Sequence, residues 1–134
     1  MNILITGGAG FLGVRLARTL LQQGRFDGRP ITSLMLADLV APRDEALLAD
    51  ARVQSHTGDL AASLDTLMAR DWDMVFHLAS AVSAECEADF ELGLRANLDA
   101  TRRLLESCRA QTLRGAGMPR LFFASSVAVF GSDP

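Results

Sequence analysis

Apolar residues along the chain follow two alternating patterns, short continuous runs and longer stretches with helical spacing. The first run, residues 2–5, is typical of a buried strand and leads directly into a glycine-rich turn. After the turn, Leu12, Leu16 and Leu20 recur with the spacing of one helix face, which predicts a helix over about residues 11–23. The N-terminal segment therefore predicts a strand, a glycine-rich turn and a helix in immediate succession.

The same alternation continues through the rest of the chain. We predict further strands over residues 31–37, 53–57, 74–78 and 121–125, and helices over residues 61–70 and 88–111. A loop with at most one helical turn is expected over residues 42–50, and no structured element after Gly131.

Strands that alternate with helices predict an α/β fold. The expected form is a Rossmann-type doubly wound parallel sheet of about five strands, in the order 3-2-1-4-5. In such a sheet ligands bind over the carboxyl ends of the strands, at the switch between strands one and four.

Composition fits a single soluble domain over residues 1–134, with 49% hydrophobic residues and a net charge of −3. A net negative charge gives no indication of a basic surface that would bind nucleic acid or an anionic membrane. No apolar run approaches the roughly 20 residues of a membrane span, and no basic leader precedes the first strand. We therefore expect a cytoplasmic protein.

The sequence shows no metal-ligand spacing. Cys86 and Cys108 are its only cysteines and form no Cys-x-x-Cys motif, so two free thiols are expected. His56 and His77 fall in predicted strands and share no ligand spacing. We expect His77 to be a packed core histidine rather than a catalytic group.

The glycine-rich turn carries the first candidate chemistry. Gly7 and Gly10 allow the backbone to turn tightly and approach a pyrophosphate, and Gly13 allows the helix to lie close to the strand. The phosphate charge would interact with free N–H groups at the helix start, where Phe11 and Leu12 stand. The alternative interpretation is a glycine-rich turn that only packs tightly.

Asp38 stands at the end of the second predicted strand. A carboxylate at this position accepts hydrogen bonds from both ribose hydroxyls of an adenosine and repels a 2′-phosphate. The position therefore favours NAD over NADP as the cofactor. An aspartate that caps a turn is the alternative interpretation.

The threonine and three glycines of Thr-Gly-x-x-Gly-x-x-Gly, residues 6–13, resemble the short-chain dehydrogenase/reductase superfamily. The form Gly-Gly-Ala-Gly-Phe-Leu-Gly resembles its extended, sugar-nucleotide-epimerase branch. The resemblance implies that Asp59 and Leu60 hold the adenine. It also implies that the diphosphate and the nicotinamide ribose contact the backbone of Leu78, Ala79 and Ser80.

Two further segments extend the resemblance to the active site. Asn97-Leu-Asp-Ala-Thr is similar to the family's Asn-x-x-Gly-Thr, with Ala100 in place of the usual glycine. This match implies that Asn97 supports the active site by hydrogen bonds near the nicotinamide. Ser125-Ser-Val-Ala-Val-Phe-Gly is similar to the family's Ser-Ser-x-x-Val-Tyr-Gly. It implies that Ser125 lies beside the cofactor and that Ser126 is the catalytic serine, which hydrogen-bonds the substrate hydroxyl or carbonyl.

Within the extended branch, residues 28–31, 77–90 and 125–131 of this sequence resemble D-erythronate dehydrogenases. Those NAD-dependent enzymes oxidise C2 of a four-carbon sugar acid. The resemblance implies that Ser83 and Ser126 face a sugar-acid or sugar-nucleotide substrate. It also implies a homodimer through the long predicted helix.

In the resembling family a tyrosine is the acid/base, and a lysine one helical turn later lowers its pKa. Both belong to the helix after strand five. This sequence has no tyrosine, all 13 of its lysine or arginine positions are arginine, and it ends at Pro134. We therefore expect the cofactor half of the fold and no turnover by this chain alone, since general acid–base catalysis contributes about 10²–10⁴-fold. Three alternatives stay open: a nucleotide-sugar 4-epimerase or dehydratase, a non-catalytic NAD-binding module, and a truncated gene product.

Overall fold

The computed structural model describes residues 1–131, and its central element is a five-stranded parallel sheet. Its strands are β1 (Asn2–Thr6), β2 (Ser33–Asp38), β3 (Val53–Thr57), β4 (Met74–His77) and β5 (Arg120–Phe123). Their spatial order is β3-β2-β1-β4-β5, which confirms the order predicted for a doubly wound sheet. The expectation of no element after Gly131 concerns residues 132–134, which lie outside the described residues.

Helices connect the strands; the helix predicted over residues 11–23 has those bounds, whereas the one predicted over residues 61–70 spans residues 60–67. They are α1 (Phe11–Gln23), α2 (Glu45–Leu48), α3 (Leu60–Leu67), α4 (Ser83–Ala88), α5 (Phe90–Gly93) and α6 (Ala100–Leu113). A π-helical segment, Leu94–Asp99, joins α5 to α6, and a 3₁₀ turn spans Val127–Phe130. We call the continuous stretch of residues 90–113 the composite helix. None of the helices within residues 1–131 has the length and apolar character needed to cross a membrane.

Alternating residues of β1 divide the core into two layers. Ile3 and Ile5 pack in one cluster with residues of α1. Leu4 packs in a second cluster with Leu64 of α3 and Leu104 of α6. Both faces of the sheet are therefore covered, and the carboxyl ends of the strands stay open to form a site.

The prediction of a single long helix over residues 88–111 is wrong at the N-terminal end. Asp89 has extended backbone angles, φ −138° and ψ 95°, and separates α4 from the composite helix. Its carboxylate accepts a hydrogen bond of 2.9 Å from the backbone N–H of Leu92 and so caps the composite helix. A dimer through this helix would use residues 90–113 instead of the predicted range.

A short hairpin that the sequence pattern does not indicate lies between α1 and β2, where Arg25–Phe26 pairs with Arg29–Pro30. Asp27 and Gly28 form its turn with positive φ angles, which Asp-Gly favours in two-residue hairpins. Asp27 also pairs with Arg120, the first residue of β5, at 3.1 Å. The hairpin therefore lies at the amino end of the sheet, away from the site.

β5 is an edge strand, and its aromatic side chains are partly exposed. Among residues 1–131 it pairs with β4 alone. Phe122 and Phe123 are each about half exposed, and Phe130 in the following turn is more exposed still. The β5 side of the sheet therefore presents apolar surface and an unpaired edge.

Candidate functional site

The turn after β1 brings its backbone into contact with the end of β4. Gly7 has a φ of 72°, and a Cβ atom on it would lie 2.8 Å from the backbone nitrogen of Ala79. A Cβ atom on Gly13 would overlap the carbonyl oxygen of Gly7 and lie 2.7 Å from the Cα atom of Gly8. Only glycine fits at these two positions, so the turn packs against α1 on one side and the end of β4 on the other.

The start of α1 leaves backbone donors open beside this turn. Gly10 is the N-cap residue, and no side chain within residues 1–131 caps the helix there. The N–H groups of Phe11, Leu12 and Gly13 donate no hydrogen bond to any atom of the described residues. Open N–H groups at a helix start attract anions, so this geometry suits a diphosphate.

Asp38 ends β2 and holds the glycine-rich turn in place. Its Oδ2 atom accepts a hydrogen bond of 2.9 Å from the backbone N–H of Ala9. Nearby, the N–H of Gly8 donates to the carbonyl oxygen of Ala37 at 3.1 Å. Within residues 1–131 the Oδ1 atom of Asp38 accepts no hydrogen bond, which leaves it open to a ligand hydroxyl. Asp38 is thus both an anchor of the turn and a candidate ribose ligand.

The glycine-rich turn, Asp38 and the ends of β3 and β4 surround a cavity of about 500 Å³, which we call the first cleft. The predicted cofactor residues in its wall are Gly7, Gly10, Asp38, Asp59, Leu60, Leu78, Ala79 and Ser80. Phe11, Leu12 and Gly13 lie outside that wall and begin α1 immediately after Gly10. Among the wall residues that the sequence pattern does not indicate, the polar ones are His56, Ser63, Glu85 and Arg95. The first cleft lies over the carboxyl ends of the strands, where the fold class predicts a ligand.

Asp59 and Leu60 stand at the start of α3. The Oδ1 atom of Asp59 accepts a hydrogen bond of 2.9 Å from the N–H of Ala62 and caps this helix. The N–H of Gly58 donates to the carbonyl oxygen of Asp38 at 2.9 Å, so the two aspartates stand at neighbouring strand ends. Contact of Asp59 with an adenine stays a prediction, because capping already accounts for an aspartate here.

A second cavity, of about 930 Å³, adjoins the first, and we call it the second cleft. The backbone segment of residues 79–81 lines both clefts, and we call it the dividing segment. The predicted active-site residues in the wall of the second cleft are Ser83, Asn97, Ser125 and Ser126. The structure therefore brings the predicted catalytic and substrate residues together at one cavity.

Asn97 lies in the π-helical segment and pairs with the backbone of Ala81. Its Oδ1 atom accepts a hydrogen bond of 2.8 Å from the Ala81 N–H, and its Nδ2 atom donates to the Ala81 carbonyl oxygen at 3.0 Å. A side-chain amide that pairs with both backbone groups of one residue fixes the position of that residue. Asn97 thus holds one end of the dividing segment.

Four serine residues line the second cleft: Ser80 of the dividing segment and the three predicted active-site serines, Ser83, Ser125 and Ser126. Ser125 and Ser126 follow β5 directly, and the Ser126 carbonyl oxygen accepts a hydrogen bond of 3.3 Å from the N–H of Val129. Ser83 is the first residue of α4 and lines the same cleft. Hydroxyl groups both donate and accept hydrogen bonds, so these residues suit a substrate rich in hydroxyl groups.

His77 is buried in β4, which confirms the prediction of a packed core histidine. It is 1% exposed, and burial lowers the pKa of its imidazole below 6.5. Its Nδ1 atom lies 2.6 Å from Oγ1 of Thr6, and its Nε2 atom lies 2.9 Å from Oγ1 of Thr101. These partners are not indicated by the sequence pattern, although Thr101 follows Asn97 by one helical turn and shares its face.

The described part of the chain contains no group of three or more histidine, cysteine or acidic side chains that could hold a metal ion. Cys86 and Cys108 are free thiols. Burial raises the pKa of the Cys108 thiol, which favours its protonated form. Cys86 lines the second cleft, with its Sγ atom 3.6 Å from the carbonyl oxygen of Ala81. The polar groups in the walls of the two clefts therefore include hydroxyls, amides, carboxylates and open backbone groups, together with the Arg95 guanidinium and the Cys86 thiol.

Similarity to known proteins extends over nearly the whole chain. The sequence profile of the NAD dependent epimerase/dehydratase family matches residues 3–134. A D-erythronate dehydrogenase of Cupriavidus necator is 53% identical over 139 residues, which cover 99% of this chain and 41% of that protein.

Solved structures show the same partial coverage. The nucleoside-diphosphate-sugar epimerase from Agrobacterium tumefaciens superposes with a TM-score of 0.87 and 38% identity, over 98% of this chain and 39% of that chain. MoeE5, in complex with UDP-glucuronic acid and NAD, superposes with a TM-score of 0.76 and 30% identity, over 100% of this chain and 40% of that chain. The chain thus spans about two fifths of the length of these relatives.

Proposed function

The chain belongs to the NAD-dependent epimerase/dehydratase family, and from this membership we propose that it is the NAD-binding portion of an oxidoreductase. The observation that carries the proposal is the first cleft, where the glycine-rich turn, the open start of α1 and Asp38 meet. These features suit a dinucleotide because they allow close backbone approach, attract an anion and accept ribose hydroxyls. The NAD in the MoeE5 structure supports the same cofactor here.

Each part of NAD has candidate ligands among the described residues. The open N–H groups of α1 would bind the diphosphate. Asp38 would accept the adenosine ribose hydroxyls, and its charge would repel a 2′-phosphate, which favours NAD over NADP. Asp59 and Leu60 would hold the adenine. The backbone of residues 78–80, together with Ser125, would contact the nicotinamide half.

The test of cofactor binding is calorimetric titration of the folded chain with NAD and with NADP. We expect NAD to bind and NADP to bind more weakly. Circular dichroism and sedimentation on the same sample would establish that the chain is folded and not aggregated. A folded chain that binds neither dinucleotide would contradict the proposal.

We further propose that the complete protein oxidises C2 of a four-carbon sugar acid, with D-erythronate as the first substrate to test. The proposal rests on the 53% identity to a D-erythronate dehydrogenase. NAD held by the residues of the first cleft would supply the acceptor for the hydride that leaves C2. Ser126 would hydrogen-bond the oxygen on that carbon, Ser83 would contact the substrate from α4, and Asn97 would support the wall of the second cleft.

These residues do not supply a base for the reaction. Serine hydroxyls and an asparagine amide cannot accept a proton efficiently near neutral pH, unlike a group whose pKa lies close to that of the solution. We therefore propose that the described residues bind and orient both ligands, and that the chain by itself does not turn over.

A chimera would test the substrate proposal. The chain would be joined to the remaining part of the C. necator enzyme, and NADH formation would be measured with D-erythronate. We expect activity that Ser126→Ala abolishes almost completely, whereas Ser55→Ala, an exposed serine on β3, leaves it unchanged. A folded, NAD-binding chimera without activity, or one that is indifferent to Ser126→Ala, would contradict the assignment.

A nucleotide-sugar epimerase is the second candidate. It is favoured by the TM-score of 0.87 to the A. tumefaciens nucleoside-diphosphate-sugar epimerase. The test is to supply the protein that contains this chain with a UDP-sugar and with D-erythronate. Epimerisation of the UDP-sugar, without NADH formation from D-erythronate, would favour the epimerase over the dehydrogenase.

A further inference from the structure

Five residues form a continuous line of hydrogen bonds beside the dividing segment. The backbone N–H of Ala79 donates to Oγ1 of Thr6 at 3.3 Å, and that oxygen lies 2.6 Å from Nδ1 of His77. On the other side of the ring, Nε2 lies 2.9 Å from Oγ1 of Thr101. The Thr101 hydroxyl donates in turn to the carbonyl oxygen of Asn97 at 2.9 Å. We call this arrangement the His77 line.

For a neutral imidazole, the two ends of the His77 line determine the direction of every bond in it. The Asn97 end is a carbonyl oxygen, which only accepts, so the single hydroxyl hydrogen of Thr101 is used there. Thr101 therefore accepts from His77, which requires a hydrogen on Nε2. A neutral imidazole with that hydrogen has a bare Nδ1, which accepts the hydroxyl hydrogen of Thr6. The Thr6 oxygen is then free to accept from the N–H of Ala79, which only donates.

The line also reaches the far end of the dividing segment through Asn97. The Asn97 side chain pairs with both backbone groups of Ala81, while the other end of the line holds the N–H of Ala79. Ala79, Ser80 and Ala81 have short side chains, so their positions depend on backbone hydrogen bonds. β1 holds the segment from one side and the composite helix from the other, and His77 is the group that joins the two.

We propose that His77 is a positioning residue, held as the neutral Nε2–H tautomer, that orients the dividing segment between the first and second clefts. A hydrogen on Nδ1 would point at Oγ1 of Thr6, and the hydroxyl hydrogen of Thr6 could then no longer be donated to the ring. The bond pattern from Ala79 to Asn97 is compatible with one tautomer alone. The tautomer follows from the hydrogen bonds themselves, whereas its consequence for cofactor binding rests on the proposed function.

The first test is the nitrogen NMR spectrum of the imidazole in the folded wild-type chain. Long-range proton–nitrogen correlations distinguish the two neutral tautomers and the charged form, and His56→Gln identifies the signals of the only other histidine. We expect the Nε2–H pattern for His77 at pH 7. An Nδ1–H pattern, a charged ring or an average of the two tautomers would overturn the proposal. This test needs no variant of the line itself.

The second test compares Thr101→Val with Thr101→Ser. Valine keeps the shape and removes the acceptor of the Nε2 hydrogen, whereas serine keeps the hydroxyl. We expect Thr101→Val to mix the tautomers and to speed hydrogen exchange at the N–H groups of Ala79 and Ala81, with Leu36 in the sheet centre as the unaffected control. Thr101→Ser should restore the wild-type pattern. Wild-type tautomer and exchange rates in a folded Thr101→Val would overturn the role of the line.

The cofactor readout separates this inference from the proposed function. If the wild type binds NAD, we expect Thr101→Val to weaken binding about five-fold, the equivalent of one lost hydrogen bond, and Thr101→Ser to leave it within about two-fold. Unchanged NAD affinity in a Thr101→Val chain with mixed tautomers would overturn the positioning role. If the wild type binds no NAD, the proposed function fails, and the tautomer and exchange measurements decide the inference by themselves.

Discussion

The two carboxylate oxygens of Asp38 have different surroundings. Oδ2 accepts from the N–H of Ala9 and anchors the glycine-rich turn, and Oδ1 accepts no hydrogen bond from residues 1–131. A simple deletion of this side chain would therefore disturb the turn as well as the cofactor preference. Asp38→Asn separates the two effects, because the asparagine oxygen can still accept from Ala9 while the negative charge is removed.

We expect Asp38→Asn to reduce the preference for NAD over NADP on the order of ten-fold, since the repulsion of the 2′-phosphate is lost. Asp38→Ala should also lower the affinity for NAD, because the turn loses its anchor. Calorimetric titration of the three proteins with both dinucleotides measures these effects. An unchanged preference in Asp38→Asn would contradict the role of the charge.

The buried imidazole of His77 predicts a pH dependence of stability. Its pKa is lowered by burial, so between that pKa and 6.5 the unfolded chain binds more protons than the folded one. The contribution of the neutral ring to stability is therefore complete above pH 6.5 and is lost as the pH falls below it. The slope of the unfolding free energy from this residue reaches at most about 1.4 kcal/mol per pH unit.

Urea unfolding of the wild type and of His77→Gln between pH 7.5 and 5.5 would measure this slope. We expect the unfolding free energy of the wild type to fall more steeply with acidification than that of the variant. Carboxylate titrations are common to both proteins and cancel in the comparison. Parallel curves would show that His77 does not titrate in this range on unfolding.

At the scale of elements, the cap at Asp89 decides where the composite helix begins. Its carboxylate accepts from the N–H of Leu92, and its extended backbone ends α4. We expect Asp89→Ala to lower the unfolding free energy by about 1 kcal/mol, and Asp89→Asn to lower it by only a few tenths. Urea unfolding measures both. Equal losses in the two variants would mean that charge, and not capping, stabilises this junction.

Local patterns predict most of the elements because their causes are local. β1, α1 and β3 match their predicted ranges closely, since apolar runs and helical spacing report directly on burial. The break at Asp89 is hidden because Glu85, Glu87 and Glu91 surround it with similar residues. An aspartate that caps a helix cannot be distinguished from its acidic neighbours until the path of the backbone is known.

The site was predictable as far as it depends on short motifs. The glycine-rich turn and Asp38 meet at the first cleft because both follow strands that the order of the sheet places side by side. The partners of Asn97 and His77 come from distant segments and could not be predicted. No residue type is characteristic of a π-helical segment such as the one that contains Asn97. Its position depends on contacts such as the pair of hydrogen bonds with Ala81.

At the scale of the molecule, the composite helix carries an exposed apolar face. Leu98 and Leu105 are 58% and 50% exposed and stand seven residues apart, the spacing of one side of a helix in contact with a partner helix. A homodimer through this face stays a prediction. We expect concentration-dependent sedimentation of the chain, and we expect Leu105→Asp to shift it toward the monomer.

Val40→Asp is the control for this prediction, because Val40 is an apolar residue in the loop after β2 that is 62% exposed, more than Leu105. It should leave self-association unchanged. Equal sedimentation of the two variants would place the contact elsewhere, and the exposed aromatic surface beside β5 would then be the next to examine. A wild type that stays monomeric at every concentration would contradict the dimer itself.

The dividing segment has a consequence for how the two clefts respond to their ligands. Three small residues form part of the wall of both cavities, so a displacement of this wall that fits one ligand changes the space left for the other. Ligands bound in both cavities would then be energetically linked, and such linkage is reciprocal. Under the proposed function, whatever factor a sugar acid applied to the affinity for the dinucleotide, the dinucleotide would apply to the affinity for the sugar acid.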